Sequence, residues 1–339
     1  MAASASVAAV ACTESSAPPL RTVSGIAQGT TYSLQWTGGS ASETEIASAA
    51  EQELARIDAL LSNYRADSTL EEFNASETTA PVELPRELVE LLELAKRIHE
   101  ASDGCFDPTV RPLVRAWGFD GDAPAVPSAT AIDAARALVG LDNLELLDAT
   151  RARKVVAGLS IDMSSIGQGY TAGRLAELLE QHGSTTYLAE IGGEVVARGA
   201  KPDGSPWRVG VENPVAGASA SPALRVPPST TTAVITSGSY RHYLEADGRR
   251  FSHIIDPRTG WPVEHGLLSV TVVAEDAATA AAWGTALLCL GPDAAPAAAE
   301  RGNVAALFWL ARDGAEPALQ QSGTFASDWR DRLDEPAER

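Results

Sequence analysis

The residues best suited to chemistry gather in one stretch, Thr236-Ser237-Gly238-Ser239-Tyr240-Arg241 followed by His253-Ile254-Ile255-Asp256-Pro257-Arg258-Thr259-Gly260. A Thr-Ser-Gly-Ser turn offers backbone N–H groups and hydroxyls, the makings of a nest for phosphate. His253 has the side chain whose ordinary pKa lies nearest neutrality, so it is suited to moving a proton. His-Ile-Ile-Asp-Pro is predicted as a strand ending in a turn, which sets His253 and Asp256 beside the nest. Together these features point to a phosphate-bearing ligand and a proton-transfer residue. A second feature of this kind runs Ser164-Ser165-Ile166-Gly167-Gln168-Gly169-Tyr170. It lies between a predicted strand, Leu159 to Met163, and a helix with Ala172, Leu175, Leu178 and Leu179 facing inward. Strand, Gly-containing turn and helix is the usual way to present a helix N-terminus to phosphate, although many such turns bind nothing.

The elements that must hold these residues follow from periodicity. Alternation from Thr31 to Trp36 predicts a strand with Gly29 as its bend. Ser42 to Tyr64 is predicted helical, with Ile46, Ala50, Leu54, Ile57 and Leu61 on one stripe. Pro85 to Ser102 is a second helix, stopped by Gly104. Residues 122–131 are Pro- and Ala-rich and predict a linker. Thr185 to Ala197 is a strand pair broken at Gly192-Gly193. Further strands are expected at Trp207 to Val211, Val234 to Gly238 and Leu267 to Ala274, with a hairpin about Asp247-Gly248. Ala277 to Leu290 is an Ala-rich buried helix ending at Gly291-Pro292. Ala305 to Leu310 and Pro317 to Gln320 form a closing hairpin. The pattern is that of an α+β fold, a mixed sheet with helices inside and around the core.

Bulk properties narrow the function. The 339 residues are 45% hydrophobic and carry a net charge of −19, which argues against binding bare nucleic acid or an anionic lipid surface. The three cysteines, Cys12, Cys105 and Cys289, show neither zinc spacing nor a disulfide framework. Met1 to Cys12 is small and apolar and resembles the end of a bacterial lipoprotein signal, although no Lys or Arg precedes the apolar run. That predicts lipidation at Cys12 and residence on the periplasmic side of the inner membrane. Residues 1–22 are assigned to signal and tether, 23–325 to one domain and 326–339 to an acidic tail.

Several motifs together resemble one family, the FAD:protein FMN transferases (ApbE family). They are Gly29-Thr30-Thr31-Tyr32, Ser62-Asn63-Tyr64-Arg65, Asp103-Gly104-Cys105-Phe106-Asp107-Pro108-Thr109-Val110, Trp117-Gly118-Phe119, Ile161 to Tyr170, Ile191-Gly192-Gly193-Glu194, Pro206 to Val211 and Thr236 to Gly260. Their order and spacing hold from about residue 25 to 320. The resemblance implies transfer of the FMN half of FAD to a Thr or Ser hydroxyl of a partner protein, with AMP leaving and Mg²⁺ assisting. It also implies acceptors such as subunits of sodium-pumping NADH:quinone reductase or of Rnf complexes.

Carried over residue by residue, the resemblance puts Tyr64 against the flavin and Cys105, Phe106 and Asp107 along the FAD site. Asp162 meets the nucleotide and Gln168 follows nearby. Ser165 lies near the metal and pyrophosphate. Gln28, Ser237, Gly238 and Ile254 complete the FAD contacts. His253 is the general base on the acceptor hydroxyl, and Thr285 stands at the metal site. The departures fall on one helix: Ala281 and Gly284 occupy positions where the family usually has Asp. Glu275 and Asp276 lie six and five residues before Ala281 and point elsewhere on a helix. Gln28 replaces a usual Met, and Gln168 a usual Lys or Glu. Mg²⁺ needs anionic oxygens, so three readings stay open: an active transferase with a rearranged metal site, a flavin-binding protein without transfer, and an FAD pyrophosphatase.

Overall fold

In a computed structural model, the structure describes residues 18–121, 124–214, 221–240, 242–246 and 248–334. The Cys12 segment and the last residues of the expected tail, 335–339, lie outside them, as does Asp247. The centre is a sheet of eight strands. They are β1 (Arg21–Ala27), β2 (Thr30–Gly38), β3 (Ser184–Ile191), β4 (Glu194–Arg198), β5 (Thr232–Gly238), β6 (Leu267–Ala274), β7 (Ala305–Arg312) and β8 (Ala315–Gln321). Numbered this way, the strands lie side by side in chain order. Every pairing is antiparallel, where a mixed sheet was expected. Each long excursion returns beside the strand it left and runs the other way.

Two tight turns fix one end of the sheet. Gln28 and Gly29 both have positive φ (50° and 73°) and join β1 to β2. Gly192 and Gly193 (63° and 96°) join β3 to β4. Two-residue turns with positive φ at both positions match the right-handed twist of paired strands. Strand β5 runs toward this same end, since Val234 pairs with Val195 and the strand continues to Gly238.

Four helices cover one face: α1 (Glu43–Leu61), α2 (Arg86–Ala101), α3 (Ser164–Gln181) and α4 (Ala277–Gly302). Helix α1 starts on a capping box between Ser42 and Glu45. Helix α4 does not stop at Gly291. It kinks there (φ 77°, ψ 178°) and resumes with Pro292, a residue tolerated in the first turn of a helix because its missing N–H would lack a partner anyway. The main core lies between these helices and the sheet. A smaller core on the other face holds Trp207, Leu224, Leu307 and Phe325. The strand Leu333–Asp334 pairs with Ala223–Arg225 beside it, so residues 326–334 belong to the fold and not to a tail. Among the described residues no helix is long and apolar enough to cross a membrane.

Two further expectations fail for identifiable reasons. No strand forms at Leu159–Met163. The side-chain amide of Asn74 takes both hydrogen bonds a neighbouring strand would have offered, donating to the Ile161 carbonyl and accepting from its N–H, both at 2.8 Å. The expected linker 122–131 runs into a helix, Ala129–Arg136, capped by Ser128 and burying Ile132 and Ala135.

Helices α3 and α4 approach so closely at Gly169 that an added Cβ would lie 2.6 Å from the Ala277 carbonyl oxygen and 2.7 Å from the Ala281 methyl. Gly169→Ala is therefore expected to cost about 1–3 kcal/mol through overpacking. A lowered urea midpoint with unchanged slope would show it.

Candidate active site

The site grows from the sheet end where the hairpin tips, the start of α3 and the end of β5 meet. Asp162 organises the start of α3. Its Oδ1 accepts from the Ser164 N–H at 2.8 Å and from Asn63 Nδ2 at 2.5 Å, while its own N–H donates to the Pro108 carbonyl at 2.7 Å. One carboxylate thus caps the helix and ties down the Ser62–Arg65 turn. Tyr64 on that turn is 82% exposed. An exposed aromatic ring is a ready face for a planar ligand. Ser165 sits half-buried in the first turn of α3.

The two glutamines are placed by the tips. Gln28 donates through Nε2 to Thr171 Oγ1 at 3.0 Å, which lays the first tip across the second turn of α3. The Gln168 side chain lies 3.1–3.2 Å from where a Cβ would stand at Gly192, so it rests on the second tip. The polarity of Gln28 is used within the fold.

The expected phosphate nest has a different form. Thr236, Ser237 and Gly238 are the last residues of β5 and pair with Thr271, Val270 and Ser269. Thr236 Oγ1 meets Thr271 Oγ1 at 2.8 Å, and Ser239 donates its N–H and hydroxyl to the Leu268 carbonyl. Ladder bonding has consumed groups that a turn would have left free. Ser237 Oγ faces α4, 2.8 Å from where a Cβ would stand at Gly284, next to Thr285.

His253 follows the hairpin formed by strands Tyr243–Ala246 and Arg249–Ser252. Its Nδ1 lies 3.0 Å from the His242 carbonyl oxygen. A carbonyl only accepts, so Nδ1 carries the hydrogen and the neutral ring keeps its lone pair on Nε2. Burial holds the His253 pKa below its ordinary 6.5, and the nearby His242 ring adds to that. Ile254 packs against the main core. Its carbonyl accepts from the Val263 N–H at 2.9 Å, which orients the backbone beside His253.

The segment 105–107 serves the site from beneath. Cys105 and Phe106 are each 2% exposed. Asp107 Oδ1 accepts from the Thr109 N–H at 2.8 Å and from Thr109 Oγ1 at 2.6 Å, and burial raises its pKa. It caps the turn Pro108–Val110 instead of presenting an oxygen to a ligand. Cys105 is bonded to Cys289, so the expectation of no disulfide is overturned. Their separation of 184 residues leaves no local spacing to read.

Sequence reasoning passed over two residues. Asn63 was quoted only as a neighbour of Tyr64, yet it is buried, its Nδ2 donates to Asp162, and its Oδ1 has no hydrogen-bond partner. Arg111 is 2% exposed, bonds to the Asn63 carbonyl at 2.9 Å and pairs with Glu71 and Asp120. A polar residue in an apolar run was its only signal.

The donor set does not fit a protein cage for Mg²⁺. Ala281 and Gly284 offer no side-chain oxygen, and Asp276 caps α4 by accepting from the Thr279 N–H at 2.7 Å. Among the described residues, one group of at least three Cys, His, Asp or Glu side chains has metal-binding proximity: Cys105, Asp256 and Cys289. Two of its members share a disulfide, and Arg258 holds both oxygens of the third at 2.8–2.9 Å. Hydroxyls of Ser165 and Thr285 remain, but a hard dication prefers carboxylate.

The ApbE family profile matches residues 28–308. The chain belongs to the ApbE family. The FAD:protein FMN transferase of Salmonella typhimurium (strain LT2) is 37% identical over 308 residues, covering 89% of this chain and 87% of the relative. That of Escherichia coli (strain K12) is 39% identical over 275 residues, covering 80% and 78%. The apo flavinyl transferase ApbE of Pseudomonas stutzeri superposes with a TM-score of 0.84 at 37% identity, covering 92% of this chain and 97% of its own. The Vibrio cholerae flavin transferase ApbE gives 0.83 at 32% identity, covering 91% and 99%. The matched residues take in every segment of the site described above and the sheet apart from its two edge strands.

Proposed function

We propose that this chain transfers the FMN moiety of FAD to a Thr or Ser hydroxyl of a partner protein. The observation that carries this reading is the likeness, over most of the chain, to proteins named FAD:protein FMN transferase. The acceptor oxygen attacks the phosphorus on the FMN side of the pyrophosphate, and a phosphoester bond forms. The bond to the bridging oxygen breaks, AMP leaves with that oxygen, and the acceptor proton passes to His253 Nε2. Tyr64 offers a stacking face for a ring system. The first turn of α3 brings the positive end of a helix dipole toward phosphate charge.

The finer expectations are part of the proposal. The buried Cys105–Cys289 disulfide supports an oxidising compartment, in keeping with a periplasmic protein anchored through Cys12. Na⁺-pumping NADH:quinone reductase or Rnf subunits are the acceptors to try first. The donor set gives no support to a Mg²⁺ cage built from this chain's carboxylates.

The test is to incubate the chain with FAD and an acceptor domain, with Mg²⁺ or with EDTA, and follow FMN mass on the acceptor and release of AMP. Labelled acceptor with AMP is expected. AMP and free FMN without label would instead mean a pyrophosphatase, and bound FAD with neither product a binding protein. In the same assay Ala281→Asp is expected to add a Mg²⁺-dependent gain of about tenfold or more, the order of effect of a metal at a developing charge. Gly284→Asp is expected to lose stability instead, because its Cβ would stand 2.8 Å from Ser237 Oγ.

A further inference from the structure

Three segments meet at the Cys105–Cys289 bond. Cys105 opens the buried Cys105-Phe106-Asp107 segment. Cys289 lies one helical turn beyond Thr285 on α4. The third segment is the turn after His253: a carboxylate oxygen of Asp256 and the two sulfurs all lie within 4.8 Å of one another. Asp256 also binds Arg258, whose Cγ would be 3.7 Å from a Cβ at Gly104, so the turn approaches the loop at Gly104 as well as at the disulfide. These segments carry or support the base, the α4 hydroxyl and the loop beneath the site. At Ala281 and Gly284, α4 presents no carboxylate to share a cation with its neighbours. A covalent bond joins the helix to the loop instead.

We propose that the Cys105–Cys289 disulfide is a positioning element of the transfer site, holding α4 and the His253–Gly260 turn against the Gly104–Asp107 loop in the geometry that takes FAD. The inference rests on the reading of this sheet end as the FAD site. Reduction by a dithiol would break the S–S bond. Two electrons and two protons would end on the Cys105 and Cys289 thiols, and the reductant would end as its own disulfide. The freed sulfurs would part to van der Waals contact and α4 would no longer be tied to the loop. FAD should then bind the oxidised form better. Binding linkage is reciprocal, so FAD must favour the disulfide by the same factor. A tenfold preference corresponds to a reduction potential about 30 mV more negative with FAD bound.

The test is to equilibrate the full chain in graded ratios of reduced and oxidised dithiothreitol, with and without FAD saturating both redox forms. The thiols are then trapped by alkylation and counted by mass. The midpoint is expected to move at least about 30 mV more negative with FAD, the value for a tenfold preference. The variant Cys105→Ala/Cys289→Ala, assayed well below its melting temperature, is expected to show a KM for FAD raised about tenfold with kcat within about threefold. A purely structural staple would lower the melting temperature and leave both midpoint and KM unmoved, which would overturn the proposal. Should the double variant fail to fold, the redox titration of the unaltered chain still decides. FAD binding without a midpoint shift overturns this inference alone, whereas no FAD binding in either redox state overturns the site reading as well.

Discussion

His253→Gln is expected to lower the rate of FMN transfer by about two to four orders of magnitude, the usual contribution of a positioned general base. Gln keeps an amide of similar reach but has no lone pair that takes a proton at neutral pH, so FAD affinity should change only a few-fold. The pH profile makes the role specific. The His242 carbonyl fixes the hydrogen on Nδ1, leaving Nε2 as the base. Burial disfavours the imidazolium, so the ring loses its proton below its ordinary 6.5. A base works when unprotonated. Transfer should therefore already be on its plateau at neutral pH and fall as the pH drops through that lowered value. In the variant the acid limb should disappear along with the rate. A limb that persists at full height in His253→Gln would assign the proton transfer to another group.

Arg111→Met should be the most destabilising single change near the site, at about 3–5 kcal/mol, because it removes one partner from a buried ionic cluster. The guanidinium is 2% exposed and is held by Glu71, Asp120 and the Asn63 carbonyl. Met keeps an apolar stem but takes the cation away from Glu71, while Asp120 is left with Arg115 alone. The damage should also reach the ligand side. The Asn63 carbonyl loses its donor, Asn63 is the partner of Asp162, and Asp162 caps α3. Urea denaturation should show the lost stability. FAD titration at low denaturant should show weakened binding in whatever fraction stays folded.

Much of this architecture was legible beforehand because it rests on local rules. Gly192-Gly193 marked the strand pair that became one tip, Gly29 marked a bend but not the strand before it, and the inward stripe of Ala172, Leu175, Leu178 and Leu179 marked α3 correctly. What escaped depended on distant partners. Leu159–Met163 has strand-like composition, but the Asn74 amide replaced the neighbouring strand. The strand at Val234–Gly238 was legible, but not that β6 extends the ladder through Thr236–Gly238, where a phosphate nest was expected. Asp107 was placed along the FAD site with its neighbours, without sign that its carboxylate caps the turn before Thr109. The family motifs located the site without saying which polar groups the fold had already spent.

The order of the cysteines along the chain has a consequence for how the protein is made. Cys105 precedes its partner by 184 residues, and a chain emerges from its N-terminus. Until residue 289 is available, the thiol among these 339 residues that Cys105 can pair with is Cys12. Premature oxidation would thus trap a wrong bond that must be undone by thiol exchange, a process of seconds to hours. Withdrawing Cys12 from thiol chemistry early, by any modification of its sulfur, would leave the two remaining cysteines a single way to pair.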